Sequence, residues 1–580
     1  MIFKPTFLKE GIFAEYPRPQ FKRNSYLNLN GKWQYAITKT AQKPEKFDGE
    51  ILVPYSPECE KSGVMRQLKA DEFLHYLTRF TLPENFNKGR VFLNVGACDQ
   101  ITTVYLNGEK VGENQGGYLP FSLELSAALK EGENELYFLV VDDAASEIYG
   151  RGKQSYARGG IWYTATSGIW QTVWIESTPL NFIKNCKLTP NYALKTLKIE
   201  VDCNVEVTVK IYDNYPVQSA NVLAEGVTQN GTVTIDVSNC QAWTTENPQL
   251  YPLTLDCGDE VIESYFGLRT FSAVQTKIGK VFATNGVPQF HNGLLDQGYW
   301  KEGLYTPPSN KAMYDEIKAV KDLGYNMLRK HIKTEPMLWY YYCDILGVLV
   351  WQDFINGGGA YSKFRINLRP FIDLHINDKN YKGMKRSNPL SRKWFITEGE
   401  RLQNALYNCV SLCLYSPFNE AWGQFDAVET TKYFKERDPS RLYDHASGWQ
   451  DKGGGDLNSR HIYFRKARVK NDNKRVLALT EFGGYSYALK DHVFSPKAFG
   501  YKTFKSAEKL NEAYIKLYKT EIFPAIKNNG LSATVYTQLT DVEDEINGVF
   551  TFDRVLKLNG ENLKAINAEL YEVFNGAVKQ

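Results

Sequence analysis

At 580 residues the chain is too long for one ordinary hydrophobic core, so two to four domains are expected. Its 43% hydrophobic and 23% charged content is that of a globular protein, and a net charge of +3 from 69 basic and 66 acidic side chains, with no long basic block, argues against nucleic acid and anionic membrane as partners. No stretch approaches 18 apolar residues, and Met1-Ile2-Phe3-Lys4-Pro5 lacks the apolar segment of a secretory leader, which makes the cytoplasm the expected location.

Residues 1–178 read as all-β. Runs such as Val91–Val95 and Thr103–Leu106 alternate apolar and polar, and Leu136–Val141 and Thr172–Ile175 supply later strands. Asn107-Gly108 marks a hairpin, because a type I′ turn needs positive φ twice. A β-sandwich of roughly eight to ten strands follows. Residues 179–271 repeat the style on a smaller scale around Lys198–Val201, Val205–Ile211 and Thr232–Val237, with a second hairpin at Asn230-Gly231, and fit an immunoglobulin-like sandwich.

From 272 to 580 the rhythm changes. Ser309 is placed to cap a helix whose apolar positions Met313, Ile317 and Val320 share one face, ending near Gly324. Thr334 is expected to cap a second helix ending at Gly347. Eight strand-like runs recur, at 289–295, 325–330, 348–353, 411–416, 441–446, 459–463, 476–481 and 532–539. Strand and helix in alternation over about 300 residues predict a (β/α)8 barrel, with working residues at the C-terminal ends of its strands. Residues 357–400 would form a long loop after the third strand.

Two of those strand ends each deliver a glutamate: Ser416-Pro417-Phe418-Asn419-Glu420-Ala421-Trp422 and Leu479-Thr480-Glu481-Phe482-Gly483-Gly484. A carboxyl pair on one scaffold is the minimum equipment for hydrolysing a glycosidic bond: at a separation of about 5 Å the outcome is retention, and a wider gap admits water and inverts. Asn419 is placed to hold a substrate hydroxyl. Asp353 and Asp296 end the third and first strands, where a buried acid must be paired or used, and are candidates for hydroxyl contacts. His461 and Tyr463, two apart, can both face the mouth, with Tyr463 reaching Glu481 or else packed in the core. Trp422 and Trp449 are candidate stacking platforms, with core packing as the alternative. Nine cysteines without a CxxC pair suggest reduced thiols, and seven histidines without HxH or HExxH announce no metal site.

The chain resembles glycoside hydrolase family 2 essentially end to end. The likeness is carried by Leu29-Asn30-Gly31-Lys32-Trp33, Gly168-Ile169-Trp170-Gln171, Asn247-Pro248-Gln249-Leu250-Tyr251, Phe266-Gly267-Leu268-Arg269, Asn419-Glu420 and Thr480-Glu481-Phe482-Gly483. The resemblance implies a jelly-roll sandwich, an immunoglobulin-like sandwich and a TIM barrel, in the order read above. It further implies a retaining double displacement with Glu420 as acid/base, Glu481 as nucleophile and Asn419 on the sugar 2-hydroxyl. Arg329 would support the nucleophile, with a structural ion pair as its alternative, and His331 falls near the family's sugar-contacting histidine.

Three departures bear on the glycone. Trp162 stands where the family's β-galactosidases and β-glucuronidases place an Asp, and Tyr536 stands for their eighth-strand Trp. Glu545-Ile546-Asn547 lacks the Lys of the uronate-binding Asn-x-Lys pair. The last counts against a glucuronide, since an unpaired carboxylate is costly to desolvate; Arg151 and Arg158 are the nearby side chains that would have to compensate. The expected activity is an exo-acting, cofactor-independent β-glycosidase on a carbohydrate substrate, β-galactoside first. The same chemistry on a β-glucuronide, β-mannoside, arabinopyranoside or galactofuranoside is the alternative, or else a catalytically silent carbohydrate-binding protein. A homo-oligomer stays open.

Overall fold

A computed structural model describes residues 5, 7–8, 10–361 and 376–579. The first sandwich packs a six-stranded antiparallel sheet against a four-stranded one, in the layer order of a jelly roll. Trp33, Tyr76, Leu93, Val104 and Phe138 meet in its interior. At its hairpin, Asn107 and Gly108 have φ of 52° and 87°, the left-handed pair that the turn demands. The second sandwich faces three strands against four, around Leu197, Ile199, Val209, Leu253 and Ile262; Asn230 and Gly231 turn its hairpin with φ of 51° and 75°.

The barrel strands are β1 (His291–Asp296), β2 (Met327–Lys330), β3 (Leu349–Asp353), β4 (Leu412–Ser416), β5 (Leu442–Tyr443), β6 (Leu457–Ile462), β7 (Val476–Gly483) and β8 (Leu531–Thr537). All pair in parallel, with β1 paired to both β2 and β8. The ladder runs from β5 round to β6 and, among the described residues, is open between those two. Side chains bridge the seam: Ser459 donates to Asp444 at 3.0 Å and to the Ala446 carbonyl at 3.2 Å. The architecture is thus a jelly-roll sandwich, an immunoglobulin-like sandwich and a nearly closed eight-stranded barrel.

Helix α1 (Asn310–Asp322) starts where expected: the Ser309 hydroxyl accepts from Ala312 N at 3.1 Å, and Met313, Ile317 and Val320 are buried. Helix α2 (Met337–Leu346) departs from expectation. Pro336, not Thr334, occupies its cap position, and the Thr334 hydroxyl instead donates to the Tyr118 carbonyl of the first sandwich. The loop expected over 357–400 ends early, because 389–406 forms helix α3 (Pro389–Leu406), capped by Asn388 and started by a proline in its first turn. Its 362–375 portion lies outside the described residues. No described helix is long and apolar enough to cross a membrane.

The barrel core is continuous with the first sandwich through Tyr118, Tyr163 and Trp170, which pack beside Tyr299 and Tyr305. The segment between Gly150 and Thr166 then crosses the barrel mouth and is tied down on both banks. On one side Gly150 bridges Gly357, and the Arg151 guanidinium donates to the carbonyls of Ser146, Gly358 and Gly359. On the other, Arg158 pairs with Asp544 at 3.3 Å, Thr164 N donates to Glu543, and Tyr163 donates to Glu545.

Within the first sandwich Asp142 is buried and accepts from the Ser167 hydroxyl at 2.8 Å, and burial lifts its carboxyl to about 7. The unfolded chain releases that proton near pH 4 and the folded one near pH 7. The resulting stabilisation is full below about pH 4 and disappears as pH rises through 7, a change on the order of 4 kcal/mol. Asp142→Asn is expected to flatten the fall in melting temperature between pH 5 and 8, as read by differential scanning fluorimetry.

Candidate active site

Arg329, at the C-terminal end of β2 and 1% exposed, is the hub of the barrel mouth. Its Nε and Nη2 meet the two oxygens of Asp353, each at 3.0 Å. Nη1 donates to the Thr480 carbonyl at 2.9 Å and to Glu481 Oε1 at 3.1 Å, and Nη2 also donates to Asn419 Oδ1 at 2.9 Å. Four hydrogen bonds and a further ion-pair contact thus engage the guanidinium on the ends of β3 and β7 and on the loop after β4. The two acidic partners raise its pKa above the ordinary value despite burial.

Glu481 Oε2 receives the Tyr463 hydroxyl, which also lies 3.3 Å from Thr537 Oγ1. With Arg329 on the other oxygen, Glu481 has the donor set that suits a carboxylate anion. Glu420 sits differently. Its backbone and that of Ala421 are left-handed, with φ of 49° and 61°, in the loop after β4; strain of about 1–2 kcal/mol per residue persists at working sites when the surroundings enforce it. Here Glu420 N donates to Ser447 O at 2.9 Å, and Ser447 N donates back to Phe418 O at 2.8 Å. Burial lifts the Glu420 carboxyl to about 7, a rise only partly offset by Lys153 and Arg329 nearby.

His461 stands between the two glutamates. Nδ1 is 2.9 Å from Glu420 Oε1, and Nε2 is 3.1 Å from Ser447 Oγ and 3.6 Å from Glu481 Oε1. Burial lowers its pKa to about 4, so the ring is neutral near pH 7. One oxygen from each glutamate and one nitrogen of His461 lie within 4.8 Å of one another. Among the described residues these three come closest to a metal-like donor set, but the positive charges of Arg329 and Lys153 beside them oppose a further cation.

Of the other residues named from sequence, Asn419 holds Arg329 through Oδ1 and has a buried Nδ2 without a described partner. His331 bonds Asp353 Oδ2 through Nδ1 at 2.6 Å, and burial keeps it neutral. Trp449 packs edge-on to His461, with ring centroids 5.3 Å apart. Trp162 and Trp422 pack against each other at 5.4 Å and both against Tyr361 at 6.1 Å, building an aromatic wall.

Three expectations are corrected. Asp296 is engaged within the protein, by Lys330 at 2.6 Å and Gly298 N at 2.8 Å, and Asp353 is consumed by Arg329 and His331; both support the site rather than reach into it. Tyr536 points outward, against Phe482 and Tyr514, because the strand period of two gives the mouth to the next residue, Thr537. Arg151 and Arg158 are spent on anchoring the crossing segment. Sequence reasoning missed Ser447, Thr537, Tyr501, which stacks on Tyr463 with centroids 3.9 Å apart, and Lys153. Thr537 was readable from strand parity; Lys153, in an irregular segment of another domain, carried no motif.

Comparison with known proteins bears on the family and the fold. Residues 55–156 match the family model described as glycosyl hydrolase 2 galactose-binding domain-like, and residues 181–269 match that of glycosyl hydrolases family 2. A β-galactosidase of Clostridium acetobutylicum is 21% identical over 72% of this chain and 48% of its own, and one of Thermoanaerobacter pseudethanolicus is 22% identical over 80% and 62%. The chain thus spans less than two thirds of the length of these curated relatives. The solved β-D-glucuronidase of Dictyoglomus thermophilum superposes with a TM-score of 0.75 at 17% identity, covering 96% of this chain and 99% of that one. The two sandwich domains thus match the models of glycoside hydrolase family 2, and the whole chain, barrel included, shares the fold of that solved β-D-glucuronidase.

Proposed function

We propose that this protein is an exo-acting, retaining β-glycosidase. The observation that carries the reading is the approach of Glu420 and Glu481 oxygens to within 4.8 Å of each other in contrasting surroundings. That spacing suits a double displacement and is short for a general-base water. Glu420, with its carboxyl lifted to about 7, protonates the departing glycosidic oxygen. Glu481, oriented by Arg329 and Tyr463, attacks the anomeric carbon and forms a covalent glycosyl-enzyme. Glu420, now a carboxylate, takes a proton from water, which cleaves the ester and frees the sugar with its configuration retained. Asn419 Nδ2 donates to the sugar 2-hydroxyl, and the wall of Trp162, Trp422 and Tyr361 closes one end of the site, which supports exo action. A terminal β-galactoside is the first glycone to test, with β-glucuronide, β-mannoside, arabinopyranoside and galactofuranoside beside it.

Glu481→Gln is expected to reduce turnover of a nitrophenyl β-glycoside on the order of 10⁴-fold or more. Persistence of sugar binding with no turnover in either protein would instead mark a silent binding protein. Glu420→Gln should spare the first step for strongly activated aryl leaving groups and lose far more with poor ones; equal losses on both would remove its assignment as acid. In the wild type, kcat/KM should fall as pH rises through about 7, because only protonated Glu420 can donate, and Glu420→Gln should lack that limb. Arg329→Met should lower stability by about 3–5 kcal/mol, since it strands two buried carboxylates, a loss visible in the melting temperature.

A further inference from the structure

Lys153 is a lysine of the first sandwich whose side chain lies in the barrel mouth, 6% exposed. Its Nζ is 5.6 Å from the Trp422 ring centroid and 5.8 Å from that of Tyr163. Its charge is felt by Glu420, His331 and His461. Yet among the described residues its ammonium has neither a hydrogen bond nor an ion pair. The other described cations named around the mouth are all spent. Arg329 serves Asp353, Glu481 and Asn419; Lys330 and Lys333 share Glu335, and Lys330 also holds Asp296; Arg151 and Arg158 anchor the crossing segment.

A buried ammonium left to two aromatic faces pays a desolvation cost that a bound anion would recover. The segment that carries it also presents Trp162 rather than a carboxylate to the same space, so the wall contributed by the first sandwich is cationic and aromatic. Glu545, in the loop after β8, is no competitor for the lysine, being held by Tyr163 and Asn547.

We propose that Lys153 is the specificity-determining residue of the glycone site and that the sugar it selects carries an anionic group, a uronic acid carboxylate or a sulfate ester, paired with the Lys153 ammonium. This rests on the β-glycosidase reading above and replaces a neutral galactoside with an acidic sugar as the preferred glycone.

The test compares nitrophenyl β-D-galactoside, β-D-galacturonide, β-D-glucuronide and 6-sulfo-β-D-galactoside as substrates for the wild type, Lys153→Met and Lys153→Arg, each checked for an unchanged melting temperature. Expected is a kcat/KM about 100-fold higher for an acidic glycoside than for the neutral one, a ratio that falls about 100-fold in Lys153→Met and partly recovers in Lys153→Arg. Preference among the acidic substrates assigns the anion as carboxylate or sulfate. A neutral substrate turned over as well as every acidic one, or equal losses on both in Lys153→Met, overturns the proposal while leaving the glycosidase reading intact. Calorimetric binding of D-galacturonate, D-glucuronate, galactose 6-sulfate and D-galactose separates the two claims without turnover. Acids bound through Lys153 by a protein that cleaves no glycoside would sustain the anion site and sink the hydrolase reading. Acids bound no better than galactose, or equally well by Lys153→Met, would remove the anion site.

Discussion

One buried guanidinium organises this molecule's chemistry. Arg329 is fully desolvated, and such a charge is tolerable only when every N–H finds an acceptor and opposite charge lies close by. Its three nitrogens meet that demand with groups from three different places in the chain, Asp353, Asn419 and the Thr480–Glu481 pair. The barrel strands cannot shift relative to one another without stranding part of this set. The nucleophile candidate and the residue next to the acid candidate are therefore held by the same side chain, which couples their positions.

Around that hub the two glutamates are separated by environment more than by distance. Glu481 is hemmed in by Arg329 and Tyr463, whereas Glu420 faces a neutral imidazole across 2.9 Å and is raised by burial. The left-handed backbone at Glu420 and Ala421 and the paired bonds to Ser447 show how the loop is forced to present it. His461 touches both partners, so the tautomer it adopts must follow whichever of its neighbours holds the proton.

Much of this was legible in the chain. The eight barrel strands fall within a few residues of their expected spans, because each is a short apolar run bounded by polar turns, and Ser309 caps its helix as its position suggested. Hairpin glycines at 108 and 231 were readable because only a narrow set of residues accepts positive φ. What failed did so for tertiary reasons. Thr334 looks like a cap but serves an interface with Tyr118, a partner more than 200 residues away. Asp296 and Asp353 end strands as substrate ligands would, but which lysine or arginine consumes them depends on neighbours across the barrel. Tyr536 was one residue out of phase. Lys153 lies in an irregular stretch whose direction is set by anchors at Gly357 and Glu543, and no local pattern betrays it.

The segment from Gly150 to Thr166 belongs to the first sandwich by chain order and to the barrel by contact. The candidate glutamates Glu420 and Glu481 therefore reside on one domain, while part of the wall around them, with Lys153 and Trp162, is supplied by another. In evolutionary terms the two are unlinked: insertions or exchanges in a loop of the amino-terminal domain would alter that wall while Glu420, Glu481 and Arg329 stay untouched. Recombination between relatives at the sandwich–barrel junction would then be a route to new selectivity, provided that the anchors at Gly357, Glu543, Asp544 and Glu545 travel with the loop they hold.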